Sequence, residues 1–379
     1  MKSAALLVIA IFSWTYLLSQ PDTTIANYKE KAIIRYEGGL YFNRVEGYTP
    51  FLKGGVELSR MNISGGLNFS TNKKTFTYNV DLSYQLIKNK LIAGGSFYDK
   101  PVSNEEWTIS RSMNTLMGIL FNKDYMNYYS KKGYEFYSKY IVNEAMSLGV
   151  RYSRFDYVDW GSSKGFAKSL LKSKNEPRVN PAITEGTQNS IEFKLIFNKQ
   201  RNSRFFDELG WQAAITYKNE FGDFENKMLN ISSLAYIPTW GFQKLRLESN
   251  LIMNQGDYLQ QYLYGLGGLN VMKAFHPYAD IGQNLFYTDI QYQFAKRSAK
   301  GPWFKPVVFC EIAKVWDSSK ISNAHHDDIL IDVGVMLLSD GLRSGGFNVG
   351  FAQQIYNGNS WRVFVNFELP KLLRFGKRL

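Results

Sequence analysis

The feature of this 379-residue sequence that most constrains its fold is a long alternation of apolar and polar residues, repeated many times along the chain. In one example, from Phe76 to Leu86, Phe, Tyr, Val and Leu alternate with Thr, Asn, Asp, Ser and Gln. A period of two indicates a β-strand whose two faces meet different surroundings. Strands of soluble proteins average about five or six residues, whereas the longest of these runs reach the roughly nine to eleven residues that a tilted strand needs to cross a membrane.

Composition removes the main alternatives to a membrane barrel. Aromatic residues make up 16% of the chain, which is far too many for a disordered protein. Cys310 is the single cysteine, so a disulfide scaffold is excluded. The one long apolar run lies at the N-terminus, which excludes a bundle of membrane helices. The excess of Tyr and Phe favours a barrel with aromatic girdles.

We therefore predict an all-β fold, a transmembrane antiparallel β-barrel of about 16 strands, an even number being the rule for bacterial single-chain barrels. Charges of both signs on the polar face suit a wet lumen. The predicted strands are centred at Val56, Gly66, Val80, Ala93, Phe136, Val150, Phe193, Ile215, Ile231, Leu247, Lys273, Ile290, Phe309, Val333, Val349 and Val365.

The N-terminus has the pattern of an export signal. Lys2 supplies a positive charge, residues 4–12 are apolar, and Ser19 is a small residue at a cleavage position. We predict a signal peptide at 1–19, a lead-in segment at 20–48 and the barrel at 49–379; the alternative is an uncleaved anchor helix. The predicted location is the bacterial outer membrane, with its lipids as partners.

Two connections between predicted strands are long. Residues 99–126 include an apolar stretch, Met113 to Phe121, that predicts a short amphipathic helix, and residues 157–188 are rich in Ser, Lys, Gly and Pro. If both ends of the barrel face the periplasm, both connections follow even-numbered strands in this count. We then expect them to build out the periplasmic face, where residues 99–126 could dock a partner protein.

Six short segments carry a family resemblance: 42–47, 121–133, 265–275, 304–316, 333–335 and 345–350. Together they resemble the Omp-eighty-five superfamily, the bacterial surface-antigen family of outer-membrane insertases and two-partner-secretion transporters. The resemblance implies a sixth loop that folds into the lumen and an acidic residue on the inner wall that binds it. It also implies domains before the barrel, and the short lead-in resembles a member without them.

The motifs depart from the family pattern in a way that keeps the charges. The family's Val-Arg-Gly-Phe is replaced by Met272, Lys273, Ala274 and Phe275, and its Phe-x-Asp-x-Gly by the segment around Glu311. By resemblance, Met272 to Phe275 form the loop latch, and Lys273 binds Glu311. Asp289, in the lumen-facing register of the neighbouring strand, is a second candidate partner. Ordinary lumen charges are the alternative interpretation of all three. A lysine lacks the bidentate fork of an arginine, so the loop is expected to be held less rigidly.

The function that the resemblance implies is outer-membrane biogenesis or polypeptide translocation with periplasmic or membrane partner proteins. The alternative is a passive pore for small solutes, since barrels of 16 strands can leave an aqueous channel. We predict no enzyme activity and no cofactor. A hydrolase is a third, weaker alternative: residues 161–165 match G-x-S-x-G but lie in a loop and not on a strand-to-helix elbow.

Two further clusters favour no additional site. Residues 325–328, His-His-Asp-Asp, have metal-ligand types, but neighbours on an extended chain point apart and make a poor chelate, so no metal is predicted. Lys371, Arg374, Lys377 and Arg378 are basic. In an exported barrel such residues meet anionic head groups, so no nucleic acid is predicted.

Overall fold

A computed structural model describes residues 32–161, 178–199, 209–240, 243–294, 304–317, 329–339, 347–355, 360–367 and 374–378. One helix, α1 (Arg111–Phe121), and two 3₁₀ turns, Asn104–Trp107 and Gln260–Tyr262, accompany the strands. The strands are β1 (Ile33–Asn43), β2 (Gly47–Glu57), β3 (Met61–Ser70), β4 (Thr75–Ile87), β5 (Leu91–Val102), β6 (Tyr129–Asn143), β7 (Met146–Asp159), β8 (Gly186–Asn198), β9 (Gly210–Gly222), β10 (Asn226–Pro238), β11 (Lys244–Gly256), β12 (Tyr264–Leu266), β13 (Asp280–Gly282), β14 (Asn284–Gln293), β15 (Phe304–Trp316), β16 (Leu330–Ser339), β17 (Phe347–Gln354), β18 (Trp361–Phe367) and β19 (Arg374–Arg378).

All strands except the short hairpin of β12 and β13 belong to one 17-stranded sheet, in which neighbours are antiparallel. The last strand, β19, pairs with the first, β1, and this line of contact is called the seam. Among the described residues, β18 pairs with β17 and β19 pairs with β1, and both run in the same direction. We therefore count them as one strand position, the one that closes the sheet. The sheet therefore has sixteen positions, and the predicted antiparallel barrel is confirmed.

The barrel is apolar outside and polar inside. In β4, Val80 and Leu82 are each 49% exposed on the outer face, whereas Thr77 is buried and Asn79 and Asp81 are half-buried on the inner face. Such an apolar exterior belongs in lipid, where a closed sheet satisfies the backbone hydrogen bonds of its strands. The arrangement confirms the interpretation of the period-two pattern.

A charge placed on the two faces of β4 should have very different costs. Val80 lies near the middle of this 13-residue strand, and Val80→Lys should cost about 2–4 kcal/mol of stability in lipid vesicles. The matched control Asn79→Lys places the same charge on the neighbouring lumen-facing residue, and we expect less than about 1 kcal/mol. Urea unfolding in vesicles measures both, and equal costs would contradict the assignment of the two faces.

Two strand predictions were wrong, one near the start of the chain and one in the loop. No strand was predicted within 20–48, where β1 lies. Lys273, predicted as a strand centre, lies in a loop. The missed first strand and the false one offset each other, so the predicted number of strands was nevertheless correct.

The predicted side of the two long connections was also wrong. They follow β5 and β7, which are odd-numbered strands, because the missed β1 shifts the count by one. They therefore leave the same end of the barrel as the loop that follows β11. If both ends of the barrel chain face the periplasm, as the prediction assumed, both connections lie on the opposite side. The expected extension of the periplasmic face is therefore wrong under that orientation. The predicted helix is present as α1.

Some predicted features fall outside the described residues: the signal peptide 1–19, Ser162 to Gly165, and His325 to Asp328. Within the described ranges, no helix is both long and apolar enough to span a membrane. The same ranges hold no group of three or more His, Cys, Asp or Glu arranged to bind a metal ion.

Within the part of the chain that the structure describes, the lumen is filled at one end and holds a cavity at the other. At the end where β1 turns into β2, the connection after β5 and the loop after β12 form one buried apolar cluster that includes Met113, Met126, Leu269 and Phe275. At the opposite end, β1 to β5 line a cavity of about 690 Å³ with polar and charged residues such as Lys53. The cluster is the core of the molecule and positions the loop.

Candidate functional site

The candidate site is the lumen loop, defined as residues 267–279 between β12 and β13. The two short strands pair with each other and form its base. Gly267 begins the loop with φ of +91°, and a Cβ there would lie 2.0 Å from the carbonyl oxygen of His276. Only glycine tolerates both this backbone conformation and this close approach. The glycine-rich run in the sequence thus serves the base of the loop.

A tight turn, Met272 to Phe275, forms the tip of the loop. The Phe275 N–H donates to the Met272 carbonyl at 2.9 Å, and all four residues are buried. Met272 has φ of +51°, a left-handed conformation that costs a non-glycine residue of order 1–3 kcal/mol. Such strain persists only where the surroundings determine the conformation. The tip is therefore held by its contacts with the wall.

Four successive strands of the wall, β15 to β18, each contribute one polar side chain to this tip, and Tyr287 of β14 donates to one of these side chains. On β15, Glu311 accepts from Lys273 Nζ at 2.6 Å and from the Lys273 N–H at 3.1 Å. The other contacts are the Tyr287 hydroxyl of β14 to Glu311 at 2.8 Å, the Ala274 N–H to Asp332 of β16 at 2.8 Å, the Gln354 amide of β17 to the Ala274 carbonyl at 3.0 Å, and Arg362 Nη1 of β18 to the Phe275 carbonyl at 2.6 Å.

Below the tip lies an acidic belt, defined as Glu248, Asp289, Glu311 and Asp332. These residues stand directly opposite one another on β11, β14, β15 and β16. Like charges in direct register are destabilising, so the belt needs cations. Arg246 supplies one and lies 2.5 Å from Asp289.

Lys273 supplies the second cation and comes from the loop. Burial alone lowers its pKa, but the carboxylates of Glu311, Asp289 and Asp332 outweigh burial and hold the pKa above its usual value. The ammonium group is therefore charged at neutral pH. It also lies 4.7 Å from the centre of the Phe309 ring, a favourable cation–π distance. The loop is fixed by charge, by hydrogen bonds and by packing at once.

The structure brings Lys273 and Glu311 into contact and places the four predicted latch residues in one turn. Asp289 lies in the same belt, but its ion pair is with Arg246. Sequence reasoning missed Tyr287, Asp332, Gln354 and Arg362. All four occupy the alternate positions of their strands that face the lumen, and this alternation was the available signal. It does not show which residues of neighbouring strands lie opposite one another, so it could not identify the four residues from the sequence alone.

Comparisons with known proteins bear on the fold. The chain matches no family model and no curated protein. It is similar to the structure of BamA from Haemophilus ducreyi lacking POTRA domains 1–3, with a TM-score of 0.60 and 14% identity, over 93% of this chain and 71% of that one. CdiB from Acinetobacter baumannii gives a TM-score of 0.47 and 10% identity, over 92% and 60% of the two chains. A Rh. blastica porin mutant gives 0.36 and 10%, over 92% and 99%.

The likeness to BamA shows the fold, and at 14% identity it shows no more than the fold. The other two scores are too low to support an argument. The apolar exterior, the sixteen strand positions and this likeness define a transmembrane β-barrel of the outer-membrane class. The loop that enters the lumen lies in the connection after the eleventh strand. This connection is the sixth on its side of the barrel, so the predicted sixth loop in the lumen is confirmed.

Proposed function

We propose that this protein is an outer-membrane barrel of the Omp-eighty-five type that acts in the assembly or translocation of polypeptides, and that it is not an enzyme. The observation that carries the proposal is the latch between Lys273 and the wall. The sequence resemblance implies a basic residue in the sixth loop bound to an acid on the inner wall. Lys273 and Glu311 have this arrangement at 2.6 Å.

The seam is the second feature that suits this function. Among the described residues, β1 and β19 pair over five positions, whereas β1 and β2 pair over eleven. Within the described residues this is the shortest pairing between neighbouring strands of the sheet, which supports opening of the barrel at this place. The first strand of the seam is β1, which the strand list from sequence lacked. A polypeptide that adds to the barrel would do so along this edge.

The proposed partners are outer-membrane lipids and a periplasmic or membrane protein that delivers the polypeptide. The lipids meet the apolar exterior. The connection after β5, considered from sequence as a docking segment, instead buries Met113 and Gly118 against this chain. The exposed side chains of the same connection, such as Phe121, remain the proposed docking surface.

A disulfide across the seam tests the proposal. Gly38 and Phe375 face each other in β1 and β19. In a Cys310→Ala background, Gly38→Cys with Phe375→Cys should form a disulfide that locks the seam. The purified barrel in lipid vesicles should accelerate membrane insertion of an unfolded outer-membrane protein. We expect the oxidised lock to reduce this rate at least tenfold, about 1.4 kcal/mol in the barrier, and reduction of the same sample to restore it.

The reduced sample is the matched control because it differs from the oxidised one only in the disulfide. Equal rates in the two samples would refute a role for the seam. The second candidate function, a pore for small solutes, is favoured by the polar cavity of about 690 Å³. It would be supported if the locked barrel passed small solutes and neither sample accelerated insertion.

A further inference from the structure

Three lysines lie against aromatic rings on the inner wall of β5, β6 and β9. They are Lys100, Lys131 and Lys218, and together they are called the lysine cluster. The Lys131 Nζ lies 4.7 Å from the ring centres of both Phe155 and Tyr157, and the Lys218 Nζ lies 5.7 Å from the Phe155 ring. These are favourable cation–π distances. The rings therefore hold the ammonium groups in place, but they supply no negative charge.

Two of these lysines, Lys100 and Lys131, stand directly opposite each other on β5 and β6 and are called the facing pair. Like charges in this position are destabilising, because the Cβ atoms of facing residues are only about 4.5–5.5 Å apart. Lys218 repels Lys131 as well. A sheet that keeps such repulsion breaks a local rule of stability, and natural proteins break such rules at functional sites.

The carboxylates of this part of the wall are paired with other cations. Glu220 forms an ion pair with Lys218, and Glu135 lies 3.9 Å from Arg151. Both carboxylates attract the facing pair only from a longer range. Within the part of the chain that the structure describes, neither lysine of the facing pair forms an ion pair. The facing pair therefore has the charge to bind an anion.

A buried amide next to the cluster points to a ligand independently of the charges. Gln188 lies opposite Phe155 in the register of β7 and β8 and is fully buried. Among the described residues, neither its amide nitrogen nor its amide oxygen has a hydrogen-bond partner. Buried polar groups nearly always have one, so an amide of this kind needs an explanation. An oxyanion held by the lysines would accept from the amide nitrogen.

The wall around the cluster stands in water on its outer face. Asp99, Lys132 and Asp156 form one row of charges across β5, β6 and β7, and each of them is next to an inner-face residue of the site. Charged side chains destabilise a barrel where its outer face meets lipid, so this row belongs outside the lipid layer. Lys100 is exposed, and a water-soluble anion can therefore reach the cluster.

We propose that the lysine cluster binds a phosphate group, either free or carried by a lipid headgroup. Two facing ammonium groups match the charge of a phosphate monoester, about −1.5 to −2 at neutral pH, and its three acceptor oxygens. Lysine binds phosphate as a point charge, and Lys218 and the Gln188 amide supply further donors. A carboxylate carries a single charge and would neutralise only half of the facing pair. The site does not depend on the proposed function in polypeptide assembly.

Isothermal titration calorimetry of the full chain in maltoside detergent, which contains no phosphate, tests the site. The probes are inorganic phosphate and dihexanoyl phosphatidic acid, a soluble lipid whose headgroup is a phosphate monoester. Lys131→Gln removes one charge of the facing pair and should weaken binding at least about tenfold. The matched control Lys132→Gln removes the same charge from the adjacent residue on the outer face, and should change the affinity by less than about twofold. Gln188→Glu places a carboxylate beside the cluster and should abolish binding.

The two probes distinguish the sources of the phosphate group. Binding of inorganic phosphate with these effects supports a site for free phosphate, and binding of the lipid alone supports a site for a headgroup. The probe that binds should also raise the thermal unfolding midpoint of the wild type and leave that of Lys131→Gln unchanged, because a ligand of the folded state stabilises it.

Three results would overturn the proposal. The first is that neither probe binds, and the second is that Lys132→Gln weakens binding as much as Lys131→Gln does. The third is tighter binding of hexaglutamate than of both probes, which would show a site for carboxylates. None of these results depends on whether the barrel inserts polypeptides.

Discussion

Reversing the charge of Lys273 should release the lumen loop from the wall. The ammonium group and the Glu311 carboxylate are both buried, with side chains 4% and 0% exposed. Removing one partner of a buried ion pair costs about 3–5 kcal/mol because a charge stays behind without compensation. Lys273→Glu does more than this, since it adds a carboxylate next to an acidic belt that already holds four.

The release should be visible in two measurements. Protease added to the intact barrel should cut within residues 267–279 much faster in Lys273→Glu than in the wild type. The same variant should show larger single-channel conductance in planar bilayers, because the loop fills one end of the lumen. Unchanged protease sensitivity would mean that the latch does not depend on this pair.

Two further variants separate the latch from general effects of charge. Arg35→Glu reverses an equally close pair, 2.7 Å from Glu57, but both side chains are about half exposed. Exposed pairs contribute about 0–1 kcal/mol, so this variant should leave the loop protected. Lys273→Glu combined with Glu311→Lys restores opposite charges and should recover part of the protection. Recovery will be partial, because Glu311 also accepts from Tyr287.

The alternation of apolar and polar residues was sufficient to predict the barrel, because lipid and lumen impose opposite preferences on the two faces of each strand. It failed at β1, where Gly38 and Gly39 interrupt the pattern. It also failed at Lys273, where consecutive residues are buried together inside the lumen. Consecutive burial has no period of two, yet the short apolar run around Lys273 has the composition of a strand.

The site was harder to predict than the fold for a related reason. Lys273 and Glu311 could be paired because the resemblance linked them. Asp332, Gln354 and Arg362 meet the same turn only because neighbouring strands hold one particular register. The alternation within a strand indicates which side chains face the lumen, but not how far along the barrel axis each of them lies. The belt of facing carboxylates is therefore a property of the assembled sheet.

Replacement of Arg44 should have the second-largest effect, at the junction between the first hairpin and the connection after β5. Arg44 and Asp124 form an ion pair at 3.2 Å, with side chains 4% and 2% exposed. The guanidinium group also donates to the Asp124 carbonyl at 3.1 Å and to Asn127 and Asn180, each at 3.4 Å. It thus ties together the β1–β2 turn and both long connections.

Arg44→Met should cost about 3–5 kcal/mol in urea unfolding, because the Asp124 carboxylate stays buried without its cation. Adding Asp124→Asn removes that charge and should recover a large part of the loss, although the amide can no longer accept from both the Arg44 N–H and Asn114 as the carboxylate does. A cost below about 1 kcal/mol for Arg44→Met alone would show that the pair is not desolvated.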